Sequence, residues 1–271
     1  MNSVATSQPH SPPRAAAWGD LRLFSDATIR RIAREHGPQG QVVTAYLRQG
    51  ILEAKLRWRG RRGFRSRENT KAVQGYALLK PEEFVIINAV QQWANWRTIP
   101  RNLSGRVGSQ PLRALDLCSG AGDSTLVLAC YLPAGSHITG IEIDGRFVEV
   151  ARQKKFITFD HQPQQVDFSV QDVLQPFMDG QGRLIEDDSI DLINVSGAVA
   201  VHFDEQSTAT LARQCVRVIK PGGLALVDAG HEGAAPSLVR DCFQKEGFKL
   251  IHKAKSCVLD LSRQLCFRYE P

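Results

Sequence analysis

The chain has 271 residues, of which 42% are hydrophobic and 23% are charged. These values are ordinary for a globular protein and exclude a collagen-like repeat, a coiled coil and a wholly disordered chain. The net charge of +6 is unevenly distributed, because residues 1–112 carry 18 Lys and Arg against 7 Asp and Glu, whereas residues 113–271 carry 16 against 21. The basic N-terminal part and the acidic C-terminal part indicate different roles. One interpretation is that the N-terminal part binds an anionic partner.

The sequence contains no signal for a membrane or for secretion. No run of 18 apolar residues occurs, and the first 20 residues lack the apolar stretch of a secretory signal. We therefore expect a cytoplasmic protein without a membrane partner. The six cysteines form no C-x-x-C pair, which favours buried, reduced thiols over a disulfide framework or a zinc site, and we expect no bound metal.

The first 110 residues predict a tail followed by helices. Residues 1–19 are rich in Ser, Pro and Ala and predict a disordered tail. Apolar spacing and capping residues predict three helices, with starts at Ser25 or Asp26, near Gln41, and at Pro81. Residues 102–110 are typical of a linker. Residues 20–110 are thus predicted to form a basic helical cap that contributes to the substrate site.

Beyond residue 112, short β runs alternate with amphipathic helical stretches. Strands are predicted at 113–117, 137–141, 166–170, 190–195 and 224–227. Helices are predicted near 123–132, 145–156, 205–219 and 236–246. This alternation predicts βαβ units and a parallel sheet. Two consecutive strand runs at 248–253 and 257–269 predict an antiparallel hairpin that closes the sheet.

A glycine turn follows the first predicted strand. The stretch CSGAGDST at 118–125 leads into a helix, and glycine allows the backbone to turn sharply and to approach a ligand closely. Glu142 lies twenty residues beyond Gly122 at the end of the next strand, where a carboxylate can accept hydrogen bonds from both hydroxyls of a ribose. Nicotinamide dinucleotides and S-adenosylmethionine both fit this layout.

Four features favour S-adenosylmethionine. Asp116 lies inside the strand before the turn, where dehydrogenases usually have an apolar residue. Thr125 occupies the third position of the G-x-G-x-x-G pattern in place of Gly or Ala. Asp172 follows the third strand, where it can accept from an adenine amino group, and the chain after the fifth strand is too short for a second mononucleotide-binding half.

Five segments of residues 113–271 resemble class I S-adenosylmethionine-dependent methyltransferases: LDLCSGAGDST, ITGIEID, QDVLQPF, DDSIDLINVSGAVAVHF and ARQCVRVIKPGGLALVD. Cys118 stands where the family's first motif has a glycine. The resemblance implies an α/β fold, with a seven-stranded, mostly parallel Rossmann-like sheet, an antiparallel C-terminal hairpin and an N-terminal helical cap. It assigns residues 111–271 to the cofactor domain. The implied cofactor-binding residues are Asp116, Cys118, Gly120, Gly122, Glu142, Ile143, Asp172, Val173 and Asn194.

The resemblance implies methyl transfer by in-line displacement, for which a base is needed only if the acceptor must lose a proton. His202 follows the fourth strand and His231 the fifth, at the strand ends where open α/β sheets bind ligands. Both are candidates for a catalytic base or a substrate contact. A histidine that is simply packed or solvated in a loop is the alternative.

The nature of the acceptor is the most open question. Residues 55–71 contain eight basic residues and one acid, which suits pairing with the acidic domain, recognition of an anionic small molecule, or binding of nucleic acid. The fourth strand is not followed by an (N/D/S)-P-P-(Y/F) segment, which disfavours methylation of the exocyclic amines of bases, and no Pro-Cys pair occurs, which disfavours 5-methylcytosine chemistry by a thiolate. We therefore expect a small-molecule acceptor, for which an anionic character is one interpretation of the basic segment, with RNA, protein or mere cofactor binding as alternatives. Seven aromatic residues of the cap are candidates to line its pocket, with core packing as the alternative for each of them: Tyr46, Trp58, Phe64, Tyr76, Phe84, Trp93 and Trp96.

Overall fold

The computed structural model describes residues 20–38, 42–61, 63–66, 69–230, 232–256 and 263–271. The predicted tail at 1–19 lies outside the described residues. No helix in these ranges is long and apolar enough to cross a membrane.

The centre of the molecule is a seven-stranded sheet in the order β3-β2-β1-β4-β5-β7-β6. The first five strands pair in parallel, and β7 pairs antiparallel with both β5 and β6. The strands are β1 (Arg113–Leu117), β2 (His137–Glu142), β3 (Gln165–Val170), β4 (Ile190–Val195), β5 (Ile219–Ala229), β6 (Phe248–Ala254) and β7 (Arg263–Tyr269). This arrangement confirms the predicted Rossmann-like sheet with an antiparallel C-terminal pair.

Helices cover both faces of the sheet and continue into the N-terminal region. They are α1 (Asp26–His36), α2 (Val42–Trp58), α3 (Asn69–Ala77), α4 (Pro81–Ile87), α5 (Ala89–Leu103), α6 (Asp123–Tyr131), α7 (Gly145–Arg152), α8 (Val199–His202), α9 (Glu205–Val218) and α10 (Pro236–Lys245).

Alternation along the strands divides the core into two layers. Leu115 and Leu117 belong to one buried cluster, whereas Ala114 belongs to the other, as the two-residue period of a strand requires. Burial on both faces explains why the central strands are nearly continuous apolar runs. The apolar side chains that predict the strands therefore also pack against the helices on each face of the sheet.

The cap differs from its prediction in three places. The helix that begins at Pro81 breaks at Asn88, whose Nδ2 donates to the carbonyl of Phe84 at 3.0 Å, so that α4 ends there and α5 begins. In addition, α5 extends to Leu103 into the predicted linker. Ile99 and Leu103 are fully buried, and this packing outweighs the weak helical tendency of the local sequence. The helix α3 was not predicted.

Candidate active site

A cavity of about 860 Å³ lies at the carboxyl ends of the parallel strands, a volume typical of small-molecule sites. It opens beside the boundary between β1 and β4, where the strand order reverses and doubly wound sheets bind their ligands. Six of the nine residues predicted to bind the cofactor line this cavity: Cys118, Gly120, Glu142, Ile143, Asp172 and Val173. The other three, Asp116, Gly122 and Asn194, are not among the lining residues.

The turn after β1 follows a left-handed path. Cys118, Gly120 and Gly122 have φ of 56°, 53° and 82°, and Gly122 is the N-cap residue directly before α6. A Cβ atom on Gly120 would lie 2.8 Å from Cζ of Phe84, so it would fill the gap between the turn and the cap. Burial raises the pKa of the Cys118 thiol well above its ordinary value, which keeps this thiol protonated and excludes a thiolate nucleophile at this position.

Glu142 connects the second strand to the turn. Its Oε2 accepts from the amide of Gly120 at 2.9 Å, and its Oε1 accepts from the amide of Asp144 at 3.0 Å. Burial raises the pKa of this carboxyl, and the backbone donors oppose the shift. Each carboxylate oxygen has a second lone pair, so the side chain can still accept two hydroxyl hydrogen bonds from the cavity.

The segment after β3 forms the adjoining wall of the cavity. Oδ1 of Asp172 accepts from the amide of Leu174 at 2.9 Å, and Val173 packs into the main core. Carboxylate and backbone acceptors beside an apolar wall suit the amino group and the ring of adenine. The donors of the adenosine part of S-adenosylmethionine, two ribose hydroxyls and one amino group, are thus matched by acceptors on this side, and the residues present fit this part of the cofactor.

Asp116 and Asn194 lie beneath the turn and are fully buried. Oδ2 of Asp116 accepts from the hydroxyls of Ser124 at 2.7 Å and Thr125 at 2.6 Å, and Oδ1 accepts from Nδ2 of Asn194 at 2.7 Å. Burial raises the pKa of Asp116 to about 6, although these three bonds pull it down. The contacts tie β1 and β4 to the first turn of α6, which places the glycine turn.

The helical cap forms the roof of the cavity through α3, α4 and α5. The ring of Phe84 stacks on that of Phe147 with centroids 3.8 Å apart. Nη1 of Arg146 donates to the carbonyl of Leu79 at 3.1 Å, and Nε2 of Gln92 donates to Asp123 at 2.8 Å. These bonds fasten the cap to the cofactor domain on both sides of the opening.

Two of the seven cap aromatics proposed as pocket lining, Tyr76 and Phe84, line the cavity. The other five do not line it. Phe64 and Trp96 are buried in apolar clusters, and Tyr46 and Trp58 are exposed on the outer side of α2. Trp93 is instead covered by the guanidinium of Arg97, 3.5 Å from its ring centroid. Aromatic content alone does not say which side of a helix faces the ligand.

His202 lines the cavity where the segment after β4 meets α3. It ends the short helix α8 and is only 7% exposed, which corrects the expectation of a loop. The alternation pattern could not detect a helix of four residues. Burial lowers the pKa of its imidazole. The second candidate, His231, lies outside the described residues.

The described part of the basic segment does not reach the cavity. Arg65 pairs with Glu53 of α2 and, at 3.3 Å, with Glu232 of the cofactor domain. Arg61 lies 3.9 Å from Glu83. Among the described residues of 55–71, the arrangement therefore favours pairing within the protein over contact with a ligand in the cavity.

Comparison with known proteins agrees with this geometry. Residues 114–223 match the family described as a methyltransferase domain. Over 118 residues the chain is 29% identical to the ubiquinone/menaquinone biosynthesis C-methyltransferase UbiE of Geotalea daltonii, covering 42% of this chain and 44% of that protein. The chain thus spans less than half the length of this relative.

Solved structures of methyltransferases are similar to part of this chain at low sequence identity. A methyltransferase from Methanosarcina mazei is 14% identical, with a TM-score of 0.47, over 61% of this chain and 95% of the other. A TehB-like methyltransferase from Corynebacterium glutamicum is 17% identical, with a TM-score of 0.45, over 60% and 82%. Because both scores are below 0.5, we base the fold on the strand order and the family on the sequence match. Residues 114–223 are thereby identified as a class I methyltransferase domain, of the kind whose cofactor is S-adenosylmethionine.

Proposed function

We propose that the protein transfers the methyl group of S-adenosylmethionine to a small, uncharged molecule held between the glycine turn and the cap. The observation that carries this proposal is the position of Glu142, fixed by two backbone amides at the wall of a cavity that continues to His202. Bound S-adenosylmethionine supplies a methyl group already activated on a sulfonium, so the protein's task is alignment and exclusion of water.

The cofactor-binding residues are assigned by position. Glu142 holds the ribose, Asp172 and Val173 hold the adenine with Ile143 against it, and Cys118 and Gly120 border the methionine part. The buried residues Asp116 and Asn194, together with Gly122, act by holding the turn rather than by touching the ligand. This division follows from which side chains line the cavity and which lie beneath it.

The lining of the cavity supports an uncharged acceptor over an anionic one. Next to His202 it consists largely of apolar residues such as Ala72, Val73 and Phe203. Arg146 is the one basic side chain among the described lining residues, and it is paired with Asp144. Among the described lining residues an anionic acceptor would find no available cation, and its burial would be costly.

The roof supports a small molecule over RNA or protein. Helices α3 to α5 cover the strand ends and are bonded to the domain below, so a polymer could enter only if they moved. The Geotalea relative, named as a C-methyltransferase of quinone biosynthesis, acts in a pathway of small molecules, which is consistent with this choice.

Transfer of labelled methyl from S-adenosylmethionine into size-fractionated lysate tests the proposal. We expect label in the low-mass fraction, unaffected by nuclease or protease. Label that disappears with nuclease assigns the activity to RNA, and label lost with protease assigns it to protein. If calorimetry shows binding of S-adenosylhomocysteine but no fraction receives labelled methyl, the protein binds the cofactor without transferring its methyl group.

A further inference from the structure

The contact between His202 and Tyr76 decides which of the two side chains meets the acceptor. Nδ1 of His202 lies 3.1 Å from the carbonyl oxygen of Ser66, and Nε2 lies 3.1 Å from Oη of Tyr76. A carbonyl oxygen only accepts, so Nδ1 carries the proton and Nε2 of the neutral ring accepts from the Tyr76 hydroxyl. The lone pairs of Oη then remain for a donor in the cavity, which Tyr76 lines.

The surroundings keep both partners uncharged. Burial, and then the positive charge of Arg65, lower the pKa of His202, while the Ser66 carbonyl and Glu232 raise it. Burial raises the pKa of Tyr76 to about 12, with Glu142, Glu53 and Glu232 adding to the shift and Arg65 opposing it. At neutral pH the pair is thus a neutral phenol donating to a neutral imidazole.

We propose that Tyr76 is the catalytic residue that receives a proton from the acceptor, that His202 acts behind it, and that the acceptor therefore carries an ionisable hydroxyl or enol. The proposal rests on the proposed function. The acceptor O–H bond breaks and a new O–H bond forms on Oη, while the original Tyr76 proton moves to Nε2. The acceptor oxygen keeps the electron pair that methyl transfer requires, and the resulting imidazolium later loses its proton to water.

Two measurements on the Tyr76→Phe variant test the relay. Nitrogen NMR of histidine-labelled protein, with S-adenosylhomocysteine as the only ligand, should show neutral His202 protonated on Nδ1. Its titration should move to higher pH in the variant, because a hydrogen bond to the neutral ring disfavours protonation. Methyl transfer to the low-mass fraction should fall by roughly 100-fold or more, which is the usual contribution of a general base. The dependence of the transfer rate on pH should also change. Tyr269→Phe, which removes a hydroxyl at the end of β7, is the control.

The outcomes separate the relay from the proposed function. Unchanged transfer, an unchanged His202 titration, or a neutral ring protonated on Nε2 overturns the relay alone. A wild-type protein that binds S-adenosylhomocysteine but transfers no label overturns the proposed function and the relay with it. His202→Gln should resemble Tyr76→Phe in rate, since either change interrupts the same proton path.

A second feature, independent of the cavity, is the outer side of α2. Val43, Leu47, Ile51 and Trp58 are 52%, 61%, 58% and 90% exposed, and their spacing of four, four and seven residues places them along one side of the helix. Leu56, on the opposite side, is fully buried. A continuous row of exposed apolar side chains is typical of an interaction surface.

The charges around this apolar stripe indicate the kind of partner. Arg48, Lys55 and Arg59 are exposed beside it. Glu53, the single acid of α2, is mostly buried and pairs with Arg57 and Arg65. The outer side of the helix is therefore apolar and cationic, with an exposed tryptophan among arginines, which is the composition of helices that lie on anionic membranes.

We infer that α2 docks flat on an anionic phospholipid surface through this stripe. The expectation of no membrane partner rested on spanning segments and secretion signals, and a helix lying in the surface needs neither. The apolar side chains would enter the headgroup region, and the cations would contact lipid phosphates.

Sedimentation with vesicles tests the inference. Wild-type protein should sediment with equimolar phosphatidylcholine and phosphatidylglycerol vesicles but not with phosphatidylcholine alone. Leu47→Glu/Ile51→Glu should abolish this binding, and Arg48→Gln/Lys55→Gln should weaken it by roughly 30-fold, the loss expected for two surface cations. Leu184→Glu, at a similarly exposed leucine of the cofactor domain, is the control. Absence of sedimentation, equal loss in the control, or a dimer that Leu47→Glu/Ile51→Glu dissociates without any vesicle binding overturns the inference.

Discussion

Nδ2 of Asn194, near the end of β4, donates to Oδ1 of Asp116 in the adjacent strand β1 at 2.7 Å, and neither side chain lines the cavity. The bond joins the two strands at which the sheet order reverses. Oδ1 of Asn194 accepts in turn from Gln264 of β7 at 3.1 Å, and Oε1 of Gln264 accepts from Asn102 of α5 at 3.0 Å. A buried chain of polar side chains thus connects the cap to the glycine turn.

The raised pKa of Asp116, about 6, makes stability depend on pH. Because this pKa lies above the ordinary value, the native state binds more protons than the unfolded state between about pH 4 and pH 6. The free energy of unfolding therefore falls as pH rises through that window, by up to about 1.4 kcal/mol per pH unit. Asp116→Asn removes the ionisation while the hydroxyls of Ser124 and Thr125 can rotate to accept. We expect denaturant titrations of the variant to show a flatter dependence on pH. An equal slope of the free energy of unfolding against pH in variant and wild type contradicts this assignment. The control substitution Asp241→Asn, at an exposed position, should leave that slope unchanged.

Gln264→Leu interrupts the polar chain at its midpoint. Gln264 is 1% exposed and donates to Asn194 and Ser196. The substitution leaves buried groups unpaired on both sides, so we expect a loss of about 2–4 kcal/mol in the free energy of unfolding. Gln206→Leu, at an exposed position of α9, should change it by less than about 0.5 kcal/mol. Equal effects of the two substitutions in urea denaturation would show that the chain contributes little.

Glu142→Ala removes the acceptor assigned to the ribose. Hydrogen bonds to a charged group contribute about 1.5–3 kcal/mol, so the dissociation constant of S-adenosylhomocysteine should rise roughly 10- to 100-fold in calorimetry. Glu186→Ala, at an exposed acid outside the cavity, is the control for loss of a charge. Because Glu142 also holds the amide of Gly120, thermal unfolding of the variant should be measured alongside. A folded variant with wild-type affinity removes Glu142 from the site.

The sheet and much of the site could be predicted because their signals are local. The β runs, the turn at 118–125 and the acid twenty residues later each occupy a short stretch of sequence. The contact of Tyr76 with His202 joins residues 126 positions apart, and α3, which carries Tyr76, is a short helix that includes a glycine. Gly75 packs against the backbone of Gly63 and Phe64, so tertiary packing, not helical tendency, explains that helix.

Gly120→Ala tests whether the gap between the turn and the cap is needed for the cofactor. The new Cβ would lie 2.8 Å from Cζ of Phe84, and φ of 53° disfavours any side chain, so we expect a loss of about 1–3 kcal/mol in stability. The dissociation constant of S-adenosylhomocysteine should rise more than tenfold, since the backbone can no longer approach the ligand closely. Gly50→Ala in α2, where a Cβ meets nothing within 4 Å, is the control and should be neutral or stabilising by up to about 1 kcal/mol. Phe84→Leu added to Gly120→Ala should recover part of the stability by relieving the clash. If it also restores the affinity fully, the ring of Phe84, and not the path of the backbone, is what the substitution disturbs.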